Sequence, residues 1–173
     1  IGPALSHIAL AAEVNTPLES RPVALLGMIA DTEDVDAGLV RQMAELDVVV
    51  IPQLAGLESR PETLRVAQHS TKRLAGESGR IALASAAAPG VGFSNETELL
   101  AKAGLSPMEV IVAATRNSAL ALGKAKELGM IEAGKRAGLL LLSADPLVDI
   151  RNLRRIERVM VNGESIEVSP VSR

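Results

Sequence analysis

The hydrophobic positions of this chain fall into runs that alternate between two periods. Residues 23–29 (VALLGMI) are apolar throughout and of strand length. DAGLVRQMAEL at 36–46 then sets Leu39, Val40, Met43 and Leu46 at helical spacing, with Asp36 as the N-cap. DVVVIPQL at 47–54 is β-branched and apolar, a buried strand ended by Pro52. Residues 61–78 open on Pro61 and carry Leu64, Ala67 and Leu74 along one side, which predicts a second helix. RIALAS at 80–85 is another short strand, and the Gly/Pro stretch AAPGVG at 87–92 breaks the chain.

Two helices are predicted next. The first covers about 94–103 and stops at Gly104. The second has a complete start signal: Ser106, Pro107 and Glu109 stand at N-cap, N1 and N3, a capping box with proline in its favoured place. Val110, Ala113, Ala114 and Ala121 line its apolar side, and Gly123 ends it. Strand and helix in alternation, with strands apolar on both faces, predict parallel βαβ units. Beyond residue 124 the texture changes. GLLLLS (138–143), RVMVN (158–162) and ESIEVS (164–169) are strand-like with no long helix between them. Asn162-Gly163 is a strong hairpin signal, so the tail is expected to be a small antiparallel piece.

Composition narrows the function classes. Eighteen Lys and Arg against 21 Asp and Glu give a net charge of −3, which is not the basic footprint of a nucleic-acid binder. Phe93 is the one aromatic residue, so the stacking platforms used by single-strand readers are lacking. With no cysteine, disulfides and thiolate-bound metals are excluded. No apolar run reaches the roughly 18–20 residues of a membrane span, so no membrane partner is expected. The expected location is the cytoplasm. Because the sequence opens on Ile1, a lost N-terminal signal would leave no trace in it.

The stretch GMIEAGKRAGLLLLSADPLVDIRNLRRIERVMVNG (129–163) resembles the small-domain strands of the amidohydrolase superfamily. AATRNSALALG (113–123) is similar to that family's last barrel helix. RIALASAAAPG (80–90) is similar to its eighth strand and exit loop, and VDAGLVRQMAELDVVVIPQLA (35–55) to its sixth helix and seventh strand. The phrasing fits the imidazolonepropionase-like and prolidase-like branch best. The resemblance implies an α/β fold, a (β/α)8 barrel with a flanking β-sandwich. It also implies metal-dependent hydrolysis of C–N bonds in small amides or dipeptides, with zinc or another divalent cation as cofactor. Such a barrel takes about 250 residues, whereas about 125 precede the tail. The expectation is therefore a partial barrel: the last three to four βα units in residues 1–124, then a segment of the small β-sandwich in 125–173. The family's first strand with its His-x-His metal pair has no counterpart here, nor has the strand bearing its metal-bridging lysine. A missing N-terminal half, or self-association, would have to complete the fold.

In the chemistry the resemblance implies, a bound metal lowers the pKa of its water to about 7 and polarises the carbonyl. A strand-eight aspartate moves the proton. The residue of this chain at that place is Ala86, which can do neither, so no catalytic residue is assigned. Asp31 falls where the family has a metal-binding histidine, and His7 could occupy the fifth-strand histidine position. Each has an ordinary alternative: a loop acid in the DTED run for Asp31, a structural histidine in an apolar run for His7. His69 is expected on a solvated helix face. Glu96 and Glu98, two apart, diverge on a helix and are expected at an exposed helix start. Ser85 lacks a nucleophile-elbow pattern, and APGVG lacks the Lys-Ser/Thr of a phosphate loop. Arg151, Arg154, Arg155 and Arg158 are expected on the solvated side of a connector. Gly138 stands where the family has an aspartate, which bears on packing or a buried hydrogen bond. Two functions stay open: the C-terminal portion of an amidohydrolase, inactive by itself, or a non-catalytic, barrel-derived structural or binding module.

Overall fold

The structure, a computed structural model, describes residues 9–10, 24–26, 37–77, 80–84 and 91–166. Three of the apolar runs lie side by side as parallel strands: β2 (Ala24–Leu26), β3 (Val49–Ile51) and β4 (Arg80–Ile81). Ala24 faces Val49, which in turn faces Arg80. Between them in the chain come α1 (Ala37–Glu45) and α2 (Pro61–Gly76), so two βαβ units form as the pattern predicts. A fourth strand, β1 (Ala9–Leu10), joins the outer side of β2, and it runs antiparallel. An antiparallel pair needs no crossover helix between its strands.

The helix ends follow local chemistry. After α1, Val48 N–H donates to Met43 O at 2.9 Å and Asp47 N–H to Ala44 O at 3.1 Å, a Schellman closure with Asp47 itself left-handed at φ 58°. That reversal swings the chain from helix into β3. Leu46 falls in the turn past the last residue of α1 and is 53% exposed rather than facing the core as its helical spacing suggested. Gly104 closes α3 (Val91–Lys102) with the same pair of bonds. The Ser106 capping box starts α4 (Pro107–Val112) as expected, and the Ser106 hydroxyl and amide hold the Glu109 carboxyl below its ordinary range.

β3 is buried on both faces. Val48 and Val50 pack with Val40 and Met43 of α1, Ala67 and Leu74 of α2, and Leu99, Leu100 and Ala103 of α3. Val49 and Ile51 pack on the opposite face with Ala82, against Ala84, Leu120 and Ala121. The helix that begins at Pro107 reaches both sides. Val110 and Ala113 belong to the first cluster, whereas Leu120 and Ala121, in or beside α5 (Ser118–Ala121), belong to the second. Between α4 and α5 lies a π-helical turn (Ala113–Asn117), a local widening that shifts the helix as it passes the rim of the sheet.

At that rim the helix supplies what a further strand would supply. Ala82 N–H donates inward to Val50 O at 2.9 Å, so the backbone groups of Ile81 and Leu83 face the outer edge of β4. Asn117 Nδ2 donates to Ile81 O at 2.8 Å. Leu83 N–H donates to Ala113 O and to Ser118 Oγ, each at 3.2 Å. The Ser118 hydroxyl lies 3.1 Å from Leu83 O and 2.7 Å from Ala113 O. The β4 edge is capped by side chains, and Val49, Ile51 and Ala82 are buried.

The tail forms its own antiparallel sheet of β5 (Leu139–Leu142), β6 (Ile156–Val161) and β7 (Glu164–Ile166), in that order. Asn162 and Gly163 make its two-residue turn, both at positive φ, as the hairpin signal predicts. The 3-10 turn Ile150–Arg154, between β5 and β6, ties this sheet to the body. Ile150 enters the main core and Arg154 pairs with Glu98 of α3 at 2.5 Å. Among the described residues no helix is long and apolar enough to cross a membrane.

Two outcomes test this packing. Gly129, at φ 92°, would bring a Cβ to 2.7 Å from Ala119 Cβ and 3.0 Å from Thr115 O, so Gly129→Ala combines backbone strain with a clash. A loss of about 2 kcal/mol or more in urea unfolding is expected; Gly56→Ala, with open space around it, should change stability by no more than about 0.5 kcal/mol. Asn117→Ala leaves Ile81 O without its donor and should cost about 1 kcal/mol. It should also raise self-association in sedimentation, because an uncapped strand edge recruits other strands.

Candidate functional site

In parallel α/β sheets, ligands bind beyond the C-terminal ends of the strands. Here those ends are Leu26, Ile51 and the run Ile81–Ala84, with α1, α2 and α3 following in the chain. After β3 the chain passes through Pro52 and Gln53 into a 3-10 turn, Leu54–Leu57. Gln53 is left-handed, φ 52° and ψ 48°, and its side chain makes no cap to the turn it precedes. A left-handed non-glycine residue at a strand end is uncommon and needs its surroundings to hold it.

Glu96 holds it. Its carboxylate reaches from α3 to the start of the turn, where Oε1 accepts from Leu54 N–H and Oε2 from Ala55 N–H, each at 2.8 Å. One side chain from a different helix thus does the work of an N-cap, satisfying two amides the turn would leave orphaned. Beside it, Asn95 Nδ2 donates to the Glu58 carboxylate just past the turn. Glu96 is 1% exposed. Burial pushes its pKa above the ordinary 4.5, the bonds from Ala55 and Leu54 pull it back, and the like charge of Glu58 pushes it up again.

The expectation for Glu96 is corrected by this placement: it sits in the core wall, not at an exposed helix start. A signal for it was available. Positions 96, 99, 100 and 103 are spaced i, i+3, i+4, i+7, and Leu99, Leu100 and Ala103 are all buried. Glu98 does diverge from it, toward Arg154. His69 is exposed, as expected. The four arginines are exposed too, with Arg151 on Asp149 at 2.6 Å and Arg154 on Glu98. A Cβ at Gly138 would meet open space.

His7, Asp31, Ser85 and Ala86 lie outside the described residues. Among the described residues no three His, Asp or Glu side chains converge. The strand ends present Pro52, Gln53, Ala82, Leu83 and Ala84, so by themselves these residues do not fit a catalytic metal, which typically takes three protein ligands.

Comparison with known proteins bears on the whole arrangement. The model of the Amidohydrolase family matches residues 64–166, from within α2 to the end of β7. This chain belongs to the amidohydrolase family. An imidazolonepropionase from Shouchella clausii (strain KSM-K16) is 38% identical over 65 residues, 36% of this chain and 14% of that protein. Among solved structures, Aspergillus niger ochratoxinase superposes with a TM-score of 0.70 at 20% identity, over 80% of this chain and 36% of that one. A Xaa-Pro dipeptidase with methionine bound in its active site gives 0.69 at 22%, over 78% and 38%. Phenylurea hydrolase B gives 0.64 at 27%, over 79% and 37%. The amidohydrolase chain described here thus spans well under half the length of these relatives.

The buried carboxylate makes a stability prediction with a definite sign. Because the folded pKa of Glu96 is raised, its contribution to stability is full below pH 4.5 and is lost as pH rises through the folded value. Glu96→Gln should remove that slope from a pH series of urea melts. Glu96→Ala should cost about 1–3 kcal/mol for each amide it orphans.

Proposed function

We propose that this chain is the C-terminal portion of a metal-dependent amidohydrolase. Residues 1–124 are then the last three to four βα units of a (β/α)8 barrel, and residues 125–173 a segment of its small β-sandwich. The observation that carries the reading is the family match over 64–166, which spans part of the parallel body and the antiparallel tail. Two structural features agree with it. The strands β2, β3 and β4 are parallel and connected by helices, and the small sheet leaves Leu140, Val161 and Ile166 about half exposed, as one layer of a sandwich would. The proposed reaction of the complete protein is hydrolysis of a C–N bond in a small amide or dipeptide. Its relatives include an imidazolonepropionase and a Xaa-Pro dipeptidase. A divalent metal such as zinc would be its cofactor, with His7 and Asp31 as the candidate ligands on this chain.

One sequence observation favours a second reading, a non-catalytic module derived from the barrel. Ala86 stands where the family's proton-moving aspartate is expected, and loss of such a group costs a factor of about 10²–10⁴. By this argument the chain alone has no enzymatic turnover. The test loads the purified chain with Zn²⁺, dialyses it, measures bound metal and assays N-acyl amino acids, dipeptides and cyclic amides. No turnover is expected from the chain alone, or from Ala86→Asp alone. Turnover is expected when Ala86→Asp is combined with the N-terminal half of a related amidohydrolase. Failure of that combination favours the non-catalytic module. Stoichiometric metal on the chain alone, with turnover abolished by His7→Ala, would overturn the claim that it is inactive.

A further inference from the structure

The Glu96 carboxylate joins two neighbouring connections on one side of the sheet, the turn after β3 and the helix after β4. We infer that Glu96 is a positioning residue: by gripping Leu54 N–H and Ala55 N–H it fixes the left-handed backbone at Gln53, and it loosens that grip when it takes up a proton. The inference rests on the proposed amidohydrolase reading only in treating the strand ends as the mouth of a binding site.

The geometry gives the reason. An ionised carboxylate has two equivalent acceptor oxygens, and both are used here, each at 2.8 Å. A protonated one keeps a good carbonyl acceptor, but its other oxygen becomes a hydroxyl, a donor that meets an N–H also seeking an acceptor. One of the two amides is then left with the weaker acceptor, a hydroxyl oxygen. Gln53, directly before them, has no side-chain cap of its own to maintain φ 52°. The charge that bears on the carboxylate is Glu58, at the far end of the same turn and of like sign. Glu58 is itself engaged by Asn95, the neighbour of Glu96 on α3. On the tail side, Glu98 of α3 is neutralised by Arg154, whose partner it is. Burial and Glu58 both favour proton uptake, and the two amides oppose it. The two amide bonds favour the ionised form, so proton uptake weakens them, while burial lets the protonated side chain stay in the fold.

Glutamine at position 96 imitates the released state, with one carbonyl acceptor and an NH2 in place of the second oxygen. The test uses the full 173-residue chain labelled with 15N and with 13C at glutamate. It records the Glu96 carboxyl shift and the hydrogen-exchange protection of Leu54 and Ala55 across the pH range, corrected for intrinsic exchange. In the wild type, protection of at least one of the two amides should fall tenfold or more with the same midpoint as the Glu96 carboxyl titration. Protection at Val50, within the sheet, should stay constant. In Glu96→Gln, protection at one or both amides should be low at neutral pH and independent of pH, and the Gln53 backbone shifts should leave their left-handed values. Should Glu96→Ala fail to fold, the wild-type titration and Glu96→Gln still decide the matter. Protection that ignores the Glu96 titration, or a glutamine variant as protected as wild type, overturns the latch. Neither readout needs turnover, so absence of amide hydrolysis would count against the proposed function and leave the latch standing.

Discussion

The edge of a parallel sheet carries backbone amides and carbonyls that something must satisfy, and the way this chain meets that constraint at β4 organises the rest of it. The groups of Ile81 and Leu83 that point away from β3 are taken by Asn117, Ser118 and the Ala113 carbonyl. To bring those groups to the edge, the helix starting at Pro107 has to cross the rim. Its early residues therefore pack on the face that holds α1 and α2, and its last turn lies over the opposite face. The π-helical turn sits at the crossing. One helix thus fixes the position of β4, buries the second face of β3 and delivers the chain to the small sheet.

A second tie holds the loop side of the same sheet. The turn after β3 has no cap from its own sequence, and the helix after β4 supplies one through Glu96. α3 also receives the tail, through Ile150 in the core and Arg154 on Glu98. Two glutamates two positions apart on one helix therefore face different partners, one inward to a turn and one outward to the tail. The divergence that rules them out as an acid–base pair is the same divergence that lets α3 join three parts of the chain.

Family membership, fold and chemistry draw on different parts of this molecule. The match over 64–166 and the parallel strands concern backbone order and packing, and both are met. Of the polar groups found near the strand ends, Glu96 binds the backbone of the turn after β3. The candidate ligands His7 and Asp31, and Ala86 with its missing carboxylate, fall outside the described residues. Fold alone does not carry a reaction.

The sequence by itself determined whatever depends on neighbours a few positions apart. The helix of 61–76, the capping box at Ser106, the stops at Gly104 and Gly123 and the Asn162-Gly163 hairpin are all legible because each is a local bond or a local dihedral preference. The apolar runs that form β2, β3 and β4 are legible as parallel strands for the same reason, and β3 is buried on both faces. Only the tertiary structure decided which distant groups meet. The periodicity at 96, 99, 100 and 103 says that Glu96 faces the core, but not that two amides 41 and 42 residues earlier wait there. Nothing local marks Asn117 and Ser118 as the cap of a strand edge about 35 residues away. Contacts of that kind follow from how packed elements are placed in space, and sequence spacing carries no record of it.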